Sequence, residues 1–288
     1  MMLPAIFASA AHEIGQLTDI YLATLIREKV PEAVSALTYS HRLIHLPLGV
    51  FGVAIATASL PQLSKLHKEN QVEDFSQALF SSVRLNLFLL VPATLFLIIF
   101  AIPLTGLLFE RGEFNHESTL LTAFALSFYS IGIPAYGMQK LFLSSLYAQK
   151  NSLIPALITA GILVINVGLS YFFMKFLDHG GLALGSSLAA YIGLFLYSIL
   201  LTRKGYLSLT AQHAYKIGKI LLANGLLAAS LFLLNKVTGF WPYYARIFSG
   251  LVGILVFYAI FSHLFHIEEW HIFRDLLQKF TLRYRKTK

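Results

Sequence analysis

The stretch ALTYSHRLIHLPLGVFGVAIATASLPQLS, residues 36–64, decides the fold class of this chain. It opens with several polar residues and then runs from Arg42 to Lys65 without another Asp, Glu, Lys or Arg. An apolar helix of about 20 residues crosses the roughly 30 Å hydrocarbon core of a membrane. We therefore predict a transmembrane helix over residues 37–60.

Seven further apolar blocks have the same character. The eight predicted spans are residues 4–26, 37–60, 84–108, 119–147, 153–176, 182–202, 217–235 and 245–265. Helices satisfy their own backbone hydrogen bonds in lipid, and the blocks lack the residue alternation of a membrane barrel. The predicted fold class is all-α, a polytopic membrane helix bundle of about eight transmembrane helices.

The composition supports a membrane protein. Hydrophobic residues make up 57% of the 288 residues and charged residues only 12%, about half the share of a soluble domain. The net charge of +8 comes from basic residues in short loops and in the tail, a distribution that indicates membrane topology rather than nucleic-acid binding. The absence of cysteine excludes disulfides, thiolate metal sites and a cysteine nucleophile.

Eight spans place both termini on one side of the membrane. The loops and tail on that side hold fourteen basic residues, and the opposite side holds six. The positive-inside rule therefore predicts that both termini are cytoplasmic. Residues 268–288 are predicted as a basic amphipathic cytoplasmic tail lying on an anionic leaflet, with a frayed basic stop signal as the alternative.

Ionisable residues within a span are costly and are by default candidates for a functional site. Two neighbouring predicted spans carry polar side chains at helical spacing. These are His12, Gln16 and Asp19 in the first span and Thr38, His41, Arg42 and His45 in the second. We predict that both stripes face one water-filled cavity.

Arg42 is the strongest candidate for binding a substrate, because its planar guanidinium stays charged and matches phosphate oxygens bidentately. The structural alternative is that Arg42 pairs with Asp19 or Glu13 and holds two helices together. His41 and His45 have the spacing of metal ligands, but Arg42 between them would repel a cation. We therefore predict no zinc site at these histidines.

Two further polar groups lie in later spans. Lys140 follows Gly132 and Pro134, which can bend the fourth span, and we include this lysine among the candidate substrate-binding residues. The oxygens of Asp19, Asn166 and Ser186 are candidates for a sodium site. Hydrogen bonding between helices is the alternative for the small polar residues.

The stretch at residues 36–64 closely resembles the signature of the MurJ/MviN lipid II flippases, a family within the multidrug/oligosaccharidyl-lipid/polysaccharide exporter superfamily. Three shorter stretches support the resemblance, which extends over nearly the whole chain. They are QLTDIYLA at residues 16–23, LFERGEF at residues 108–114 and GLALGSS at residues 181–187.

The resemblance implies a fourteen-helix protein with two six-helix lobes around a central cavity and two extra helices that form a lipid-tail groove. Residues 1–203 then look like the C-terminal lobe and residues 204–267 like the two extra helices, and the first lobe is absent. The chain departs from the family pattern at His41, where many members have a small or acidic residue. At Ser170 some members have an acid, so the sodium site is expected to be weaker here.

By this resemblance, the chain takes part in peptidoglycan biosynthesis at the bacterial cytoplasmic (inner) membrane, translocating lipid II by alternating access. The expected partners are lipid II, membrane lipids and a separate first lobe; no enzyme activity and no cofactor other than a coupling cation is expected. Alternatives are a flippase for another polyprenyl-linked glycan and a half-flippase that only binds lipid or a partner chain. The resemblance implies that Arg42 contacts the diphosphate of lipid II. Together with the polar residues of the spans, the predicted substrate-binding residues are Arg42, His41, His45, Asp19, Gln16 and Lys140.

Overall fold

The computed structural model describes residues 2–149, 153–208 and 210–270, and for residues 2–13 it describes the backbone alone. These parts of the chain are almost entirely helical, which confirms the predicted all-α class. The helices are α1 (Met2–Leu25), α2 (Ala33–Pro47), α3 (Ala54–Lys68), α4 (Val72–Ile99), α5 (Ala101–Phe109), α6 (His116–Ile131), α7 (Ile133–Ala148), α8 (Leu153–Arg203), α9 (Ala211–Val237) and α10 (Tyr243–Leu264). Most of the predicted amphipathic tail, residues 271–288, lies outside the described residues.

Several helices have the length and apolar character of membrane spans. The π-helical segment Leu48–Val53 joins α2 to α3, so that Ala33–Lys68 forms one continuous helix. This helix, α4, α8, α9 and α10 qualify as spans among the described residues, and α6 with α7 forms a sixth if the pair, bent by 43°, is one span. The chain is therefore a multi-pass membrane protein, and the number of eight spans stays a prediction.

Helix α8 reverses direction within its length. Its 51 residues would extend roughly 75 Å as one straight helix, more than twice the hydrocarbon thickness. The Asn166 Nδ2 donates to Ser186 Oγ at 2.7 Å, and the hydroxyl oxygens of Thr159 and Tyr197 lie 2.6 Å apart. Each pair joins a residue before Asp178 to one after it, and the pair that is farther from Asp178 in the first half is also farther from it in the second half. Helix α8 is therefore an antiparallel hairpin that provides the two predicted spans, residues 153–176 and 182–202.

The reversal occurs at Asp178, where φ is 51° and ψ is −130°. This is a left-handed backbone conformation that favours glycine, and it costs about 1–3 kcal/mol for another residue. The reversal falls between the two predicted spans, within residues 177–181, which also contain Gly180 and Gly181. Those glycines instead allow close packing, because a Cβ atom on either one would collide with Phe124 or with the Phe173 backbone.

Gly185 brings the second half of the hairpin against the first. An added Cβ atom would lie 2.5 Å from the Ser170 backbone nitrogen. We expect Gly185→Ala to destabilise the protein by about 1–3 kcal/mol, because the two helix backbones would have to separate. Gly168→Ala is the matched control in the same helix, since no atom lies within 4 Å of its added Cβ. Melting temperatures in detergent check this, and equal values for the two variants would contradict it.

Contacts between helix ends form two separate groups. One group joins Lys29 to Asp178, Glu110 to Thr119 and Tyr243 to His116. The other joins His67 to Tyr206, Ser76 to Ser208, Gln149 to Lys204, and Glu268 to both Arg84 and Lys216. The ends of successive spans therefore alternate between two faces of the bundle, as expected for a chain that crosses a membrane repeatedly.

The start of the tail is fixed by ion pairs at the second of these faces. The Glu268 carboxylate lies 2.7 Å from Lys216 Nζ and 3.2 Å from Arg84 Nη1. These interactions, led by the hydrogen bond from Lys216, lower the pKa of Glu268 below its usual value. The residues that follow α10 are thereby tied to α4 and α9.

The outer surface of the bundle is rich in large apolar side chains. Val164, Phe176 and Phe248 are each at least 70% exposed. Polar groups lie inside instead, and the chain has Asp19, Asn166 and Ser170 among its buried residues. This inversion of the usual soluble pattern is what a lipid-facing exterior requires.

Candidate functional site

The best-defined polar site in the described residues is built around Asp19 of α1, which is 2% exposed. Three hydroxyl groups donate to its carboxylate. Tyr129 Oη and Ser170 Oγ each lie 3.0 Å from a carboxylate oxygen, and Ser186 Oγ lies 2.5 Å from Oδ2. Because Tyr129 is on α6 and the serines are on opposite halves of α8, the site joins α1 to three helical segments.

Asn166 extends the cluster. Its Nδ2 donates to Ser186 Oγ at 2.7 Å, while its buried Oδ1 has no hydrogen-bond partner among the described residues. The structure thus brings together Asp19, Asn166 and Ser186, the three residues predicted for a sodium site. The Leu182 carbonyl oxygen, which accepts a hydrogen bond from Ser170, lies at the same place.

This donor set fits a hard cation. Carboxylate, amide, hydroxyl and carbonyl oxygens are the ligands that such ions prefer. A buried oxygen without a partner, here Asn166 Oδ1, is costly unless something binds it. One carboxylate among otherwise neutral oxygens balances a single positive charge.

A cavity of about 480 Å³ opens beside the cluster, between α1, the α2–α3 helix, α7 and α8. Its volume is in the range of pockets that bind small ligands. It is lined by tyrosines and apolar side chains together with six residues that the sequence predicted for the site. Those six are Gln16, Asp19, His41, Lys140, Asn166 and Ser186.

The second predicted stripe divides between two surfaces. His41 is 4% exposed and faces the cavity, and its ring nitrogen lies 3.1 Å from that of His45, which is not a cavity residue. Arg42 is exposed and lies outside the cavity. Adjacent residues of a helix point about 100° apart, and here His41 faces the cavity while Arg42 points away from it. The prediction of one cavity shared by all these side chains is therefore wrong in this respect.

Arg42 is exposed outside the cavity and lies over an aromatic cluster. Its guanidinium carbon is 5.5 Å from the centre of the Tyr39 ring, which packs against Phe109 at 4.7 Å and Phe114 at 5.3 Å. Phe109 and Phe114 belong to the LFERGEF stretch. Asp19 takes its hydrogen bonds from hydroxyl groups, and no ion pair joins it to Arg42 in the described parts of the chain.

Tyr129 is the site residue that sequence reasoning missed. It lies in an apolar span and gives no periodic polar signal, although a buried tyrosine hydroxyl generally needs a hydrogen-bond partner. Ser170 shares a face of the fifth predicted span with Asn166, so its oxygen is also a candidate ligand for the cation, although some family members have an acid there. In the structure it is fully buried and contacts Asp19 directly.

Several membrane-length helices define a polytopic membrane protein, and a buried carboxylate beside a cavity among those helices marks a candidate functional site. The fold matches a solved structure described as the lipid II flippase MurJ in an inward closed conformation, with a TM-score of 0.75 and 24% identity. That match covers 90% of this chain and 53% of the solved one. The family model described as lipid II flippase MurJ matches residues 1–280. The chain belongs to this family.

Curated relatives agree with this assignment. A probable lipid II flippase MurJ from Rhizobium meliloti is 32% identical over 231 residues, which covers 79% of this chain and 43% of the relative. A protein of the same description from Rickettsia prowazekii is 30% identical over 232 residues, covering 81% of this chain and 45% of the relative. The chain therefore spans about half the length of the curated relatives it matches.

Proposed function

We propose that this chain forms one half of a transporter that moves lipid II across the inner membrane for peptidoglycan biosynthesis. The observation that carries the proposal is the family match over residues 1–280 together with the shared fold. The relatives are about twice as long, so the other half of the path comes from a further six-helix lobe. Residues 1–203 supply one lobe and residues 204–267 the two helices for the lipid tail. Translocation breaks no covalent bond, and we assign no catalytic residue.

Arg42 is the proposed contact for the diphosphate of the substrate. It is exposed on the surface of the bundle and supported by the Tyr39 ring, so its donors are available to a ligand between two lobes. A guanidinium held against an aromatic ring keeps its planar edge free for oxygen atoms. His41, His45, Gln16 and Lys140 lie on or beside the inner cavity, and their proposed part is to shape its polarity.

Sodium is the proposed coupling cation. The residues that would hold it are Asp19, Asn166, Ser186 and Ser170, with the Leu182 carbonyl. When bound, the ion would supply the positive charge that the buried carboxylate lacks. A single carboxylate favours a monovalent ion, since a divalent ion would leave an uncompensated charge in a low-dielectric site. The chain's own contribution is to connect α1 to both halves of the α8 hairpin through these oxygens.

Lipid II exposure on the outer leaflet tests the proposed function. Cells depleted of their own flippase would express this chain alone, a first lobe from a relative alone, or both. We expect growth and outer-leaflet lipid II only with both, because half of a cavity cannot alternate between two sides. Restored growth with a first lobe lacking this chain would contradict the proposal. Lipid II binding without exposure in the paired sample would point to a half-flippase that only binds lipid.

Reporter fusions test the proposed orientation. Both termini are expected in the cytoplasm because basic residues are concentrated at that face. Fusions after Lys68 and Lys204 should therefore report a cytoplasmic location, and a fusion after Glu113 a periplasmic one. The reverse pattern would overturn the orientation, and a fusion after Lys68 that agrees with one after Glu113 would overturn the span count.

A further inference from the structure

The same three helices, α1, α6 and α8, are connected at two places: the tip of the α8 hairpin and the Asp19 cluster. At the tip, Lys29 Nζ lies 2.7 Å from Asp178 Oδ1, which connects the end of α1 to α8. His179 Nε2 lies 2.9 Å from the Leu121 carbonyl oxygen and connects α8 to α6. The Asp19 cluster joins α1, α6 and α8 in the same way, further inside the bundle.

The tip is held by its contacts rather than by its own backbone preference. Asp178 has the left-handed conformation described above, which a relaxed aspartate rarely adopts. The next residue, His179, is 3% exposed, and Gly180 lies against the Phe124 ring. A turn that needs outside contacts to persist can transmit the loss of one of them to the helices it joins.

Lys29 can affect the position of Asp19, because both residues belong to the same part of the chain. Ten residues separate the two, which corresponds to about 15 Å along a helix. Lys29 lies just beyond the last turn of α1, so its ion pair fixes that end of the helix against the hairpin. With α1 in this position, Asp19 accepts hydrogen bonds from Ser170 and Ser186.

We propose that the Lys29–Asp178 ion pair is a positioning clasp that holds α1 against the α8 hairpin and thereby sets the cation affinity of the Asp19 cluster. This inference rests on the proposed sodium site. Side-chain exposure of 67% for Lys29 and 29% for Asp178 leaves the clasp open to solvent and to salt. An exposed ion pair is weak, so its removal should change the affinity about three- to fivefold.

Sodium titration of the purified full chain in detergent provides the first test. The melting temperature is followed as NaCl replaces choline chloride at constant ionic strength. Lys29→Gln and Asp178→Asn should each raise the sodium midpoint about three- to fivefold, and the double variant should add little more. Lys29→Arg should retain the wild-type midpoint. Lys175→Gln is the matched control, because Lys175 lies near the tip over the Tyr171 ring rather than in the clasp.

The Asp178→Gly variant distinguishes the effect of the ion pair from the effect of the backbone strain at residue 178. Glycine accepts the left-handed turn, so this variant should fold at least as well as the wild type while losing the clasp. We expect its sodium midpoint to rise as it does in Asp178→Asn. A wild-type midpoint in Asp178→Gly would show that the turn alone positions α1, and this would overturn the proposal.

Hydrogen exchange without sodium provides a test that does not depend on the cation site. Lys29→Gln should speed amide exchange in residues 15–25 and 182–187, where α1 meets the hairpin. Faster exchange confined to residues 26–30 and 176–180 would mean that the ion pair acts only locally, and would overturn the clasp. If the wild type shows no sodium-dependent melting, the proposed coupling site fails, and the exchange result alone then decides the clasp.

Discussion

Asp19→Asn is expected to abolish sodium-dependent stabilisation and to reduce lipid II translocation to background. The substitution keeps the side-chain shape and removes the only charge in a cluster of otherwise neutral oxygens. Loss of a carboxylate ligand in a low-dielectric site should weaken cation binding by at least about 100-fold. The sodium midpoint of the melting temperature and the exposure of lipid II on the outer leaflet, measured with the first lobe present, check this result.

A matched control separates loss of the ligand from loss of the fold. Ser130 is also fully buried on α6, but its hydroxyl donates only within its own helix, to the Leu126 carbonyl. Ser130→Ala should leave the sodium midpoint and translocation unchanged. An unaltered midpoint in Asp19→Asn would remove the cation role, whereas lost translocation with a normal midpoint would assign Asp19 to a step other than cation binding.

Arg42→Ala and Arg42→Lys are both expected to abolish translocation when the first lobe is present, while the protein inserts and accumulates normally. Lysine retains the charge but loses the two parallel donors that match a phosphate group, so it should not rescue. The measurement is again outer-leaflet lipid II, with membrane abundance determined in parallel.

Arg27→Ala provides the comparison for Arg42, because Arg27 is an exposed arginine in the turn after α1 and outside the aromatic cluster. Normal translocation in Arg42→Ala would overturn the phosphate role. If the Arg42 variants fail to accumulate, the guanidinium instead stabilises Tyr39 and the LFERGEF turn, and the structural alternative is favoured.

The apolar blocks were a reliable guide to where helices lie, and less so to where they begin. Helix α4 starts at Val72, twelve residues before the predicted span, because the first turns carry Glu73 and Asp74 and are not apolar. Hydrophobicity detects the part of a helix that is in lipid and misses its polar extension. The predicted bend near Gly132 is present as the 43° angle between α6 and α7.

Periodicity predicted which residues share a face of one helix, and it could not show which helix lies opposite. Asp19, Asn166 and Ser186 were grouped by chemistry, and the structure places them in contact. Tyr129 was missed because tyrosine is common in apolar spans. Its large apolar ring makes it look like a core residue in the sequence, although its hydroxyl group is polar. Arg42 was expected on the cavity that His41 lines and lies outside it, because a stripe at i, i+3, i+4 and i+7 covers a wide arc of a helix.

The partners of Asp19 lie far along the chain, at separations of 151 residues for Ser170 and 167 for Ser186. At a synthesis rate of about 5–20 residues per second, α1 emerges roughly 10–30 s before the α8 hairpin does. During that interval the carboxylate has no hydroxyl groups from α8, and an ionised acid is unfavourable in lipid. Membrane insertion of this protein is therefore kinetically constrained: α1 must remain beside the translocation channel, or carry a neutral Asp19, until the α8 hairpin has been synthesised.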